Sequence, residues 1–74
     1  MTKQEGIEAF GIIVDASISN AATRHKLHAE LAALSALRGP LPAKGILAEV
    51  QKHCDREVSG EIGSLIKEVY FYFA

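Results

Sequence analysis

Apolar residues recur along the chain at steps of three and four, the spacing of one face of an α-helix, in separate stretches divided by polar or Gly/Pro-containing segments. In the first stretch Ile7, Phe10, Val14 and Ile18 form a stripe flanked by Ala9 and Ile13. Thr2, with Glu5 three residues later, has capping-box spacing, so a helix is predicted near residues 3–19. Ile12, Ile13 and Val14 also suit β structure, and Gly6 and Gly11 each weaken a helix by up to about 1 kcal/mol, which makes a short strand over GIIVDASI the competing reading.

In the second stretch Leu27, Leu31 and Leu34 share one face of an alanine-rich segment that stops at Gly39-Pro40, predicting a helix near 21–38. GPLPAKG, residues 39–45, reads as a turn, and Pro42 suits the first turn of a third helix near 43–55 with Ile46, Leu47, Val50 and Cys54 on its inner side. Ser59 is a candidate N-cap, with Glu61 in the first turn of a fourth helix near 60–73. There Ile62, Leu65, Ile66, Val69 and Phe73 mark the buried stripe. The expected fold is all-α: a single helical domain over residues 1–74, a small bundle of about four short helices, completed by dimerisation.

Size is what brings dimerisation into the picture. A single core below roughly 70 to 80 residues supplies only about 3 to 5 kcal/mol, and domains of that size gain stability from disulfides, metals or association. Cys54 is the only cysteine, so no bridge forms within the chain; it reads as a small, partly buried thiol in a reducing compartment. Eight Lys and Arg against nine Asp and Glu give a net charge of −1, with no global pull toward nucleic acid or anionic lipid. The opening MTKQEGIEAF does not read as a secretory or transit signal, and no apolar run reaches the roughly 18 residues of a membrane span. The expected setting is the cytoplasm.

The densest basic cluster is Arg24, His25, Lys26 and His28, in the first turns of the second helix, where the helix dipole disfavours cations. Three explanations compete: a solvated basic face, an anion or acidic partner bound there, or continuity of the first two helices through Ser17–Asn20. His25, His28, His53 and Cys54 do not follow metal-site spacings, and no metal or cofactor is expected. His53, Cys54 and Asp55 are contiguous and would point about 100° apart on a helix, so they do not form a catalytic constellation. There is no glycine-rich phosphate loop and no GxSxG turn, and a chain this small offers little room for a pocket of about 300 Å³ or more. The chain therefore reads as a non-enzyme.

Two functional classes fit. One is a helix-turn-helix DNA-binding regulator using residues 46–69, although Glu61, Lys67 and Glu68 with no Arg make a poor base-reading surface. The other is a small helical protein–protein interaction module: a regulatory subunit, adaptor or inhibitor of the bacterial or phage kind, self-associating or docking on another protein. Tyr70, Phe71, Tyr72 and Phe73 are four of the five aromatic residues of the chain, and on a helix they point in four directions, so they do not all enter one small core. The expected contact residues are Tyr70, Phe71 and Tyr72 with Ala29, Ala32 and Ala36 of the alanine-rich face. Phe73 is assigned to the core, and Phe71 or Tyr72 to a partner.

Overall fold

The structure, a computed structural model, describes residues 1–74 and contains four helices and no strand: α1 Lys3–Ser17, α2 Ala21–Ala36, α3 Ala43–His53 and α4 Gly60–Phe73. Side chains cap three of them. Thr2 Oγ1 accepts the Glu5 amide at 3.1 Å while the Glu5 carboxylate accepts the Thr2 amide at 2.8 Å, the reciprocal capping box its spacing predicts. That backbone hydrogen bond is the main reason the Glu5 carboxyl titrates below its ordinary value. Asn20 accepts the Thr23 amide at 2.9 Å, and Ser59 accepts the Ile62 amide at 3.3 Å.

The GIIVDASI segment is helical through Ser17: of its β-favouring residues Ile13 and Val14 lie on the face that α1 buries, while Ile12 is 54% exposed. Gly6, Ile7, Ala9, Phe10, Ile13, Val14 and Ser17 are all buried, and Phe10, Ile13 and Val14 are fully so. Tertiary burial overrides the local preference here. α1 is the central element: α2, α3 and α4 each pack on it, and α2 and α3 barely touch each other.

The first two helices are not continuous. Ile18 leaves α1 in an extended conformation (φ −123°, ψ 121°) and buries its side chain, and the chain then turns at Asn20 into α2. α2 ends two residues before the expected boundary, because Leu37 is extended (φ −88°, ψ 150°) ahead of Arg38-Gly39-Pro40. Gly39 has φ +103°, a conformation in which a side chain is strained. The connector then returns Leu41 to the core.

α3 ends at His53, earlier than expected. The Cys54 amide bonds Gln51 O at 3.3 Å, and the Asp55 amide reaches Ser17 O at 3.0 Å, drawing the chain off the helix axis. Cys54 is consequently exposed, not on the inner side of α3 and not partly buried; its Sγ lies 3.4 Å from Arg56 O.

The Asp55 carboxylate accepts both the Ser19 amide, at 2.9 Å, and the Ser19 hydroxyl. It thereby ties the α3–α4 connection to the α1–α2 turn. The Ser19 side-chain and backbone hydrogen bonds hold its pKa below the ordinary 3.8. A carboxylate whose folded pKa is depressed adds stability that is present above its unfolded pKa and is lost as pH falls through the folded value. Asp55→Ala is expected to melt below wild type near neutral pH, with the gap closing as pH drops below 3.8. Thermal melts of both proteins across that range check it; a gap independent of pH would contradict the assigned role.

No helix is long and apolar enough to cross a membrane.

Candidate functional site

The basic cluster disperses in three dimensions. Arg24 sends Nη1 to Ile18 O at 3.1 Å and to Ser19 O, serving carbonyls just past the C-terminus of α1. His28 Nε2 lies 2.7 Å from Asp15 Oδ1 on α1. Only His25 and Lys26 remain as exposed groups without a recorded partner. Lys3, in the first turn of α1, similarly bonds Leu37 O at the end of α2. Neither helix carries a basic residue in its own last turn, so in this antiparallel pair each receives a cation from the start of the other. That reciprocity explains cations at helix N-termini, where the local dipole alone disfavours them.

No three His, Cys, Asp or Glu side chains converge as a metal site would need; His53 sits 3.7 Å from Glu49 on its own helix, and His28 is engaged with Asp15. The surface has more relief than a chain of this length leads one to expect. One cleft of about 490 Å³ lies between α1 and α2 beside Ile12, Asp15, His28 and Ser35, and another of about 450 Å³ lies between α3 and α4 beside Cys54, Val58, Ile66 and Tyr70. In the first, Ser35 is two turns along α2 from His28, and its hydroxyl donates to Ala32 O at 2.7 Å. No nucleophile stands within hydrogen-bond reach of the His28–Asp15 pair.

The last helix carries the clearest asymmetry. Val69 is buried, and Ile62, Leu65, Ile66 and Phe73 pack partly buried against the core. The Phe73 ring reaches across to Gly6 of α1, where an added Cβ would stand 2.5 Å from Phe73 Cε2. Phe71 projects the opposite way and is 80% exposed, with Tyr70 at 50% and Tyr72 at 52% on its flanks. The Phe71 and Tyr72 rings meet edge to face, centroids 5.3 Å apart at 88°, an arrangement favoured by the ring quadrupoles. Lys67 lies one turn before Phe71 on the same outer face and makes no ion pair.

Ala29, Ala32, Ala33 and Ala36 are exposed on α2, so no element of the chain uses the alanine face as its packing partner. Ala32 borders the α1–α2 cleft near the half-exposed Ile12, while Tyr70 borders the α3–α4 cleft. The structure thus does not gather the aromatic and alanine candidates into one patch.

A third concavity has no counterpart in the sequence reading. It is an apolar groove of about 190 Å³ between α2 and α3, floored by Val14 and walled by Leu27, Leu31, Leu34, Ile46 and Val50, with Glu30 and Glu49 on its rim. It exists because both helices lean on α1 and not on each other. Residues so far apart in sequence give no local signal of it, although the half-buried positions Leu34 and Ile46 already lie on predicted apolar stripes.

The chain matches no protein-family model, no curated protein and no solved structure.

Proposed function

We propose that this protein is a small helical protein–protein interaction module that self-associates through the outer aromatic face of α4. The observation that carries this reading is Phe71: a phenylalanine 80% exposed on a helix whose opposite face is already docked. Single surface apolar residues are common, but here Tyr70 and Tyr72 flank it. Aromatic residues are enriched in the centres of protein interfaces, where a few carry most of the binding energy. Only 14 of 74 residues are buried, a thin core that association would reinforce. The exposed alanines of α2 offer a flat secondary surface over which a partner's backbone can approach closely.

A regulatory subunit, adaptor or inhibitor would use such a surface. The single exposed thiol suits a reducing compartment such as the cytoplasm. For the DNA-binding alternative, the connection from α3 to α4 runs from Cys54 to Ser59, longer than a three- or four-residue helix-turn-helix turn, and no observation favours it.

Light scattering on the full chain tests the reading. Wild type is expected to gain mass with concentration, and Phe71→Ala and Tyr72→Ala to weaken that gain while melting at the wild-type temperature at dilutions where all three are monomeric. Association unchanged in both variants would reject the aromatic face as the contact.

A further inference from the structure

Resting on that reading, we infer that the surface receiving Phe71 is the α2–α3 groove of a second copy of this chain. Three properties of the groove match the outer face of α4. The first is size: about 190 Å³ of apolar space lined by Leu, Ile and Val suits one phenyl ring, since an aliphatic cavity of about 150 Å³ accepts benzene. The second is charge: Glu30 makes no ion pair, and Glu49 has only the His53 imidazole, 3.7 Å away, so the rim is acidic; Lys67 and Glu68 both neighbour Phe71 on the outer face, and the match requires Lys67, not Glu68, to face the rim.

The third is spacing. Lys67 and Phe71 are one helical turn apart, about 6 Å along the axis, so a ring seated in the groove brings the ammonium to the rim. The edge-to-face contact with Tyr72 also holds the Phe71 ring in place before it docks, which lowers the ordering cost of association. Exposed ion pairs contribute little energy, so Phe71 supplies affinity while Lys67 with Glu30 and Glu49 fixes orientation.

No residue of α4 lines the groove, so knob and groove occupy different faces of one molecule. Two copies related by a two-fold axis satisfy both contacts reciprocally; without that closure the same contact propagates as an open chain.

Gly45 provides the means of testing this. It lines the groove, and a Cβ built on it meets nothing within 4 Å, so the position has open space for a side chain and Gly45→Leu is the substitution chosen to obstruct the groove mouth. Sedimentation of full-length proteins is the readout. Phe71→Ala and Gly45→Leu are each expected to weaken self-association by about thirtyfold or more, the effect of removing an interface hot spot. An equimolar mixture of the two should associate more tightly than either alone, because the open groove of one meets the intact knob of the other. Lys67→Glu should weaken association severalfold, and adding Glu30→Lys with Glu49→Lys should restore it.

If Phe71→Ala weakens association but Gly45→Leu does not, and the mixture shows no gain, the aromatic reading stands and the groove assignment is wrong. A wild-type chain that stays monomeric overturns both.

Discussion

Phe10→Ala is expected to leave the chain without a cooperative unfolding transition at room temperature. Phe10 is fully buried on α1, the helix on which α2, α3 and α4 all pack. Truncating a core phenylalanine costs about 3 to 5 kcal/mol, partly from lost transfer energy and partly from the cavity left behind. A core of this size supplies about the same amount in total, so one substitution consumes the margin. Circular dichroism against temperature and urea checks this. A sharp transition near the wild-type midpoint would show that the stability comes from somewhere other than the α1-centred core.

Gly6→Val is expected to expel the Phe73 ring and to melt well below wild type, although removing a glycine from a helix interior ordinarily adds stability. The sign reverses because of what stands over the position. A Cβ at Gly6 would lie 2.5 Å and 2.7 Å from two Phe73 ring atoms and 2.9 Å from Leu41 Cδ2. Even Gly6→Ala, worth up to about 1 kcal/mol in propensity, meets an overpacking cost of about 1 to 3 kcal/mol. In a Phe73→Ala background the penalty for Gly6→Ala should shrink, which a double-mutant cycle measures as coupling. Gly63→Ala is the control: its Cβ meets nothing within 4 Å, and it should be neutral or stabilising. Additive effects of the Gly6 and Phe73 changes would mean that the ring does not rest on Gly6.

These two sites show which parts of the fold were legible in the sequence. Local signals reported faithfully: Thr2 with Glu5, Ser59 with Glu61 and the Gly39-Pro40 stop each mark a helix boundary through chemistry that acts within a few residues. Periodicity placed Phe10 and Val14 inside, and Phe73 with Val69 on the packed face of α4. Contacts between distant segments had no such signal. Gly6 reads as a helix weakener until the Phe73 ring is seen resting on it, and Leu41, between two prolines, has no periodic neighbours to mark it as core.

Arg24 reads as a candidate for an anion site because its helix position is unfavourable; its partners are the carbonyls of Ser19 and Ile18, five and six residues back, which the turn at Asn20 brings within reach of its side chain. The helical period alone puts Cys54 on the inner side of α3, but the helix stops at His53, where Asp55 turns the chain back to Ser17 and Ser19. The candidate site divides the same way. The outward direction of Phe71 follows from helix geometry alone, whereas the groove between α2 and α3 depends on how two helices splay over a third.

The central claim, that one copy grips another through Phe71, is tested most directly by isotope-filtered NMR on a mixture of ¹³C-labelled and unlabelled full-length chains. The expected result is intermolecular contacts from the Phe71 ring protons, reaching the Leu34 and Ile46 methyls of the other copy. Association with no intermolecular contact at Phe71, or no association at all, would contradict it.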